Sequence, residues 1–312
     1  MPSFNHARFV GAALRSVFRQ TLRPARLLVI DDGSADDSAR VAGRVLRDCP
    51  FPCELVAREN RGLCATLNEG LARTSGEFFA YLSSDDLWLP DFLSARVALL
   101  GRRPRAALAY GHCLLMDEDG RVVDSTADWA TYADGDARDM LVQTTAPMSP
   151  TVLHRRAFVE RHGWNEGARL EDYELYLRLA PEGEFAFDPR PLAAWRRHGA
   201  NTSRAQSMML AEHLAAQRRV LPSYGMHQGE IARLHARLRF ARAEDFLRLG
   251  EKRAGLRLAL ANLGGADART AARLALRLLT PYSLVRRRAE RRHARAAARY
   301  GPLDAARADA EP

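Results

Sequence analysis

The sequence predicts an α/β chain: an open, largely parallel sheet flanked by helices, followed by a helical C-terminal region. Three observations predict it. Short apolar runs alternate with helix-patterned segments over the first two hundred residues. Two acidic turns, Asp31-Asp32-Gly33-Ser34 and Ser83-Ser84-Asp85-Asp86, each follow directly on an apolar run. Beyond Ser203 the composition changes, and Arg, Ala and Leu dominate. The expected division is an α/β domain over 1–204 and a helical, Arg-rich region over 205–312.

The elements follow in order. Phe9, Val10, Ala13, Leu14, Val17 and Phe18 recur at helical spacing, with Asn5 placed to cap them. Arg26 to Ile30 reads as a buried strand ending in the first acidic turn. Asp36 and Ser38 favour a helix carrying Val41, Val45 and Leu46. Cys53 to Ala57 is a second strand; Leu63, Leu67 and Leu71 mark a helix that Gly76 is suited to end. Phe78 to Leu82 is a third strand, ending in the second acidic turn. Pro90 suits the first turn of the next helix. Ala107 to Met116 is a longer strand that turns at Asp117 to Gly120 into Arg121-Val122-Val123. In such sheets ligands bind beyond the carboxyl ends of the strands, so both acidic turns should converge on one crevice. Ile231–Leu249, Ala254–Leu263 and Ala268–Leu279 read as helices, broken at Gly264-Gly265 and Pro281.

Composition narrows the class. Of 312 residues, 47% are apolar and 27% charged, which excludes a wholly disordered chain. Cys49, Cys53, Cys64 and Cys113 form no Cys-x-x-Cys pair, so they read as scattered thiols in a reducing compartment, not a zinc site. There is no run of about 18 apolar residues to span a membrane. Met1 to Val10 lacks a signal-peptide pattern, so a cytoplasmic location is expected. The net charge of +9 is uneven: residues 205–312 carry +11 and residues 1–204 carry −2. All basic residues but Lys252 are arginine, a bias that a GC-rich genome also produces.

Three segments bear chemistry. Asp31 and Asp32 offer carboxylates to a base N–H or a ribose hydroxyl; a helix-capping turn uses the same residues. Asp85 and Asp86 suit Mg²⁺ or Mn²⁺, hard ions that take oxygen ligands; a solvated turn is the alternative. Glu171 and Asp172 stand in the first turn of a helix whose face is Leu170, Tyr173 and Leu177, where the dipole favours anions. Asp172 there is either a simple dipole partner or a general base.

Together these pieces resemble glycosyltransferase family 2, which has the GT-A fold, over roughly Met1 to Ser203. Met1-Pro2-Ser3-Phe4-Asn5 is similar to its Pro-Ser-Tyr-Asn opening, and Gln20-Thr21-Leu22 to its Gln-Thr-Tyr segment. Val29 to Ser34, Glu59 to Leu63, Leu67 to Gly70 and Leu82 to Pro90 match further motifs in the family's order. Glu171-Asp172-Tyr173 matches its Glu-Asp-Tyr, and Arg197 to Ser203 its closing Arg-x-His-x-x-Asn-x-Ser. The resemblance implies a metal-dependent, inverting transfer of sugar from a nucleotide-diphosphate donor, usually a UDP-sugar. The acceptor is a hydroxyl of a cell-surface polysaccharide or lipid-linked glycan. It implies Pro2, Asp31 and Asp32 at the nucleobase, Asp85 on Mn²⁺ or Mg²⁺, and Ser84 and Asp86 near the ribose and diphosphate. It implies Asp172 as the base. His198 is either a diphosphate or metal contact or a structural residue.

Two departures stand out. Ser83 occupies the place of the first Asp in the family's Asp-x-Asp motif, leaving Asp85 as the chief ligand. The apolar residues that usually precede Pro-Ser are nearly absent, so the first central strand is largely missing; a start codon assigned too late, a truncation or a decayed gene would each produce this. Asn201-Thr202-Ser203 fits a glycosylation acceptor and is read as chance. In the tail, Leu278 to Val285 precedes Arg286-Arg287-Arg288, Arg291, Arg292, Arg295 and Arg299. Apolar residues beside clustered Arg suggest peripheral contact with an anionic membrane on its inner face; a solvated helical face is the alternative. No nucleic acid is expected, because no reading motif accompanies the arginines. The competing functions are a sugar-nucleotide nucleotidyltransferase, which would want a Gly-rich triphosphate loop, and a noncatalytic nucleic-acid- or membrane-binding protein on the same scaffold.

Overall fold

The structure is a computed structural model that describes residues 1–199 and 206–303. Asn201-Thr202-Ser203, and with them the end of the closing motif, lie outside the described residues. By packing, the chain divides into one unit of Met1–Ala200 with Ala296–Pro312 and a second of Asn201–Arg295.

In the first unit, β1 (Pro2–Ser3) is followed by α1 (Val10–Phe18), which buries Val10, Ala13, Leu14 and Val17. Asn5 does not cap α1. Phe9 holds the N-cap position, and the Asn5 side chain accepts the Ala35 N–H at 2.8 Å instead. Asn5 sits at φ +55, a left-handed conformation that Asn adopts more readily than most residues. Next come β2 (Leu27–Asp31), buried throughout, α2 (Ser38–Val45), β3 (Cys53–Ala57) and α3 (Leu63–Ala72). The C-cap of α3 is Arg73, so Gly76 does not end it.

β4 (Phe78–Phe79) is shorter than the apolar run suggests, because Ala80 to Leu82 leave the ladder. β5 (Leu87–Trp88) was not evident in the sequence pattern. α4 (Phe92–Arg102) starts after Asp91, which leaves Pro90 before the helix and not in its first turn. β6 (Ala106–Met116) and β7 (Val122–Ser125) form a hairpin. The unit continues with α5 (Arg138–Val142), β8 (Leu153–Arg155), α6 (Arg156–His162), α7 (Glu171–Leu179) and β9 (Glu184–Arg196).

Strands β1, β2 and β3 are parallel neighbours in that order. The second sheet runs β4-β8-β6-β9-β5, with β7 on β6. It is mixed: β6–β9 is parallel, and the other described pairs are antiparallel. Parallel pairing needs a long crossover, which the helices after β1 and β2 signal in the sequence. The short return strands of the second sheet carry no such signal.

β1 reaches only Ile30 and Asp31 of β2. Behind it, between the two sheets, lies a cavity of about 350 Å³ lined by Leu28, Ile30, Leu67, Phe79, Tyr81 and Leu93 among others. Pro2 and Ser3 are both buried on β1.

β6 and β9 are locked where their register shifts near Gly111. Arg96, fully buried, donates to Asp188 Oδ2 at 2.9 Å and to the Thr151 carbonyl at 3.2 Å. A Cβ on Gly111 would lie 2.3 Å from the Asp188 carbonyl oxygen, so the crossing tolerates no side chain there. Asp188 also pairs with Arg190, but removing Asp188 would leave the Arg96 guanidinium buried without its partner, which costs about 3–5 kcal/mol. Beyond the lock, Ala193 to Arg196 pair in turn with Cys113 to Met116, which carries β9 to Arg196.

In the second unit, α8 (Gln206–Val220), α9 (Gln228–Arg248), α10 (Lys252–Leu260) and α11 (Ala268–Leu279) are helical. Phe240, Ala243, Leu247, Ala259 and Leu274 form its apolar cluster. Buried Glu244 collects Arg248, Arg273 and Arg277. α12 (Tyr282–Tyr300) crosses the boundary between units, and its Ala296 packs with Leu114, Met116 and Val122 of the first.

Candidate active site

The second acidic turn is held from the end of β9. Arg196 donates its Nε to the Asp85 carbonyl at 2.8 Å and its backbone N–H to Asp86 Oδ1 at 2.9 Å. The same guanidinium reaches the Glu118 carbonyl at 2.9 Å and lies over the Phe9 ring. Five donors on a rigid fork let one arginine brace two loops. Asp86 thereby faces the β9 backbone and is 2% exposed. Burial, then the Asp85 charge, pushes the Asp86 carboxyl well above the usual carboxylate range.

Two residues beyond Arg196, His198 Nε2 lies 2.9 Å from Asp85 Oδ2. The other oxygen, Asp85 Oδ1, is buried without a hydrogen-bond partner. His6 Nδ1 is 3.7 Å from it and 2.9 Å from Ser84 Oγ. The ligand atoms of His6, Asp85 and His198 all lie within 4.8 Å of one another. A buried unpaired carboxylate oxygen costs free energy unless a proton or cation meets it. The donor set of one carboxylate and two imidazoles therefore fits a divalent cation. Burial lowers the His6 pKa, Asp85 opposing, which favours the neutral imidazole that binds metals.

His6 also joins the two acidic turns. Its N–H donates to Ser38 Oγ at 2.8 Å, and the neighbouring Asn5 N–H donates to Ser34 Oγ at 2.9 Å. Asp31 accepts both the Ser34 N–H at 2.9 Å and its hydroxyl at 2.7 Å. Asp32 accepts the Arg61 and Gly62 N–H groups, each at 2.9 Å, and pairs with Arg58. Gly33, at φ +77, would place a Cβ 2.7 Å from the Asn60 nitrogen, so the turn requires glycine twice over. Pro2 is buried on β1.

A second pair of carboxylates opens α7. Leu170 is its N-cap residue, which puts Glu171 and Asp172 in the first turn, as their spacing predicted. Tyr81 donates to Glu171 Oε1 at 3.1 Å. Asp172 Oδ1 accepts the Tyr173 N–H at 2.6 Å. Burial, then the Glu171 charge, raises the Asp172 carboxyl well above its ordinary value. Burial also raises Glu171, and the Asp85 charge adds to that rise, so the two acidic centres act on each other. A carboxylate of raised proton affinity is what general-base work near neutral pH needs.

The structure thus gathers Ser84, Asp85 and His198 at one point, with Asp86 directed away into β9. Asp31 and Asp32 are tied to the first turn by protein donors. Sequence reading missed His6, Arg196 and Tyr81. Only the residue type of His6, directly after Asn5, could have drawn attention to it.

Residues 1–137 match the family model described as glycosyl transferase family 2. The succinoglycan biosynthesis protein ExoU of Rhizobium meliloti is 31% identical over 195 residues, 57% of this chain and 55% of that protein. The chain spans 68% of an uncharacterized glycosyltransferase of Nostoc sp. and 29% of the chondroitin synthase of Escherichia coli, each 24% identical. Among solved structures, the mannosyltransferase PcManGT of Pyrobaculum calidifontis, in complex with GDP-Man and Mn²⁺, superposes with TM-score 0.59. It is 19% identical and covers 96% of this chain and 84% of that one. S. aureus TarS 1–349 in complex with UDP-GlcNAc also gives 0.59, at 16% identity, covering 97% and 91%. The fold is GT-A.

Proposed function

We propose that this chain, which belongs to glycosyltransferase family 2, moves a sugar from a nucleoside-diphosphate donor to an acceptor hydroxyl, with inversion. The observation that carries this is the pairing of two unlike carboxylate centres. Asp85 has a buried oxygen free to meet a cation, and Asp172, from another element, has its proton affinity raised.

Asp85 and His198 would hold the Mn²⁺ or Mg²⁺. When bound, that ion supplies positive charge that stabilises the leaving diphosphate. Asp172 takes the acceptor proton as the hydroxyl attacks the anomeric carbon, on the side opposite the diphosphate. Tyr81 fixes Glu171, whose charge keeps the Asp172 carboxyl basic. Asp32 holds the Arg61-Gly62 turn, which with Pro2 and Asp31 forms the nucleobase pocket; Ser84 stands on the ribose and diphosphate side, while Asp86, bonded to the Arg196 N–H and buried, acts on that side only by holding the turn to β9. The catalytic machinery falls within the expected domain 1–204. UDP is the preferred nucleotide in this reading, because it is the usual one of the family that the motifs resemble; the solved neighbours carry both UDP-GlcNAc and GDP-Man. A glycan or lipid-linked acceptor is supported by the succinoglycan role named for ExoU.

The test is a panel of UDP- and GDP-sugars with Mn²⁺. At least one UDP-sugar should release UDP, faster when acceptor glycans are added. Release of no nucleotide from any donor contradicts the proposal.

No described helix is long and apolar enough to cross a membrane. We place peripheral contact at the α11–α12 corner. Leu276 and Leu279 are 69% and 82% exposed there, beside Tyr282, Leu284 and Arg286-Arg287-Arg288. Changing those three arginines to Gln should weaken binding to anionic vesicles roughly 100-fold, at about 1 kcal/mol per arginine, and changing them to Glu should weaken it further. Deleting the tail is a poorer test, because Ala296 packs in the first unit. Vesicle binding that ignores both the substitutions and added salt contradicts the assignment.

A further inference from the structure

We propose that His6 is the third protein ligand of the metal, and that the resulting set selects a first-row transition ion over Mg²⁺. The inference rests on the metal-dependent reading above. Where the resemblance has an Asp, this chain has Ser83, so one hard oxygen ligand is lost. Beside Asp85 stands an imidazole instead. His6 Nδ1 lies 3.7 Å from Asp85 Oδ1, too far for a hydrogen bond, and that oxygen is buried and unpartnered. His198 Nε2 meets the other Asp85 oxygen at 2.9 Å, and the two imidazoles pack edge to face at 5.5 Å between centroids.

His6 is held in place by its backbone. Its N–H is anchored on Ser38 Oγ at 2.8 Å, and Asn5 and Ala7 on either side bond to Ser34 and Asp36. Its ring nitrogen has an exchangeable partner, the Ser84 hydroxyl at 2.9 Å. One ion would satisfy Asp85 Oδ1 and take His6 from Ser84. Mg²⁺ prefers oxygen ligands and gives up water reluctantly. Imidazole ligands favour the later first-row ions, and affinity of a mixed nitrogen and oxygen site rises from Mn²⁺ through Co²⁺ to a maximum at Cu²⁺. One carboxylate and two imidazoles should therefore discriminate against Mg²⁺.

The experiment uses the full chain, stripped of metal, and titrates MgCl₂, MnCl₂ and CoCl₂ by calorimetry. The visible absorption of Co²⁺ is followed in parallel. Mn²⁺ and Co²⁺ should bind about tenfold or more tightly than Mg²⁺. His6→Ala should weaken Co²⁺ by at least about 10-fold, the lower end of what changing a residue behind a ligand costs, and shift its visible bands. His6→Asp, which returns an oxygen ligand, should narrow the preference for Mn²⁺ over Mg²⁺. Circular dichroism on each variant checks that the fold is kept. Equal affinity for Mg²⁺ and Co²⁺ overturns the proposal. So does a folded His6→Ala variant with unchanged Co²⁺ affinity and spectrum. Nucleotide release is assayed separately. Its absence beside the expected metal pattern contradicts the transferase reading and upholds the ligand set.

Discussion

Asp172→Asn should lower the transfer rate by about 10²–10⁴-fold, the usual loss on removing a general base. An acceptor hydroxyl is a poor nucleophile until its proton begins to leave. The amide keeps the carboxylate's shape and removes its basicity. UDP affinity should survive, because this residue faces the acceptor in our reading. The same variant should melt at a higher temperature. Burial and the Glu171 charge raise the Asp172 carboxyl above the value it has in the unfolded chain. Between those two values the folded state binds the extra proton, so stability falls as pH rises through that window. Above it the charged pair costs stability, and the amide removes that cost. The rate of the wild-type enzyme should accordingly fall, on acidification, at a pH above the ordinary carboxylate range. Glu171→Gln should move that fall lower. The checks are transfer rate against pH, calorimetric UDP affinity and melting temperature on the same proteins. A variant that transfers normally, or loses UDP affinity as completely as activity, removes Asp172 from the role.

Asp85→Asn should cost more than about 100-fold in turnover. Residues behind a metal ligand cost about 10–100-fold when changed, and a charged ligand itself should cost more. The amide still bonds His198, and Arg196 still braces the loop through the Asp85 carbonyl, so the fold should be kept. Near-UV circular dichroism with the rate assay separates loss of chemistry from loss of structure. Unchanged turnover and metal response would exclude Asp85 as the ligand.

Much of the first unit was legible because parallel β-α-β stretches write two periodicities side by side. Leu27 to Asp31, Cys53 to Ala57 and Leu63 to Ala72 emerged close to their observed bounds. The short strands did not. Leu87-Trp88 is two residues long, too short for alternation to register, and the apolar pattern that starts at Phe78-Phe79 predicts a strand running on to Leu82; the pairing of both is set by distant partners. Several motif residues turn out to be fasteners. Asn68 exchanges hydrogen bonds with the backbone of Trp164 at 2.8 and 2.9 Å, and Gln20 bridges Leu89 and Leu93 in the same way. Sequence shows that such residues recur in a pattern but not whether a ligand or a neighbouring loop uses them. His6 was hidden for the converse reason. It belongs to no recognised motif, and only the left-handed turn at Asn5 brings it to Asp85.

The most direct test of the central claim is calorimetric binding of UDP to wild type and to Asp85→Asn, each with and without Mn²⁺. A nucleotide-diphosphate site built on Asp85 predicts UDP binding to wild type that strengthens with Mn²⁺, and no Mn²⁺ effect in the variant. UDP binding that is absent from wild type, or equally metal-dependent in both proteins, would contradict it.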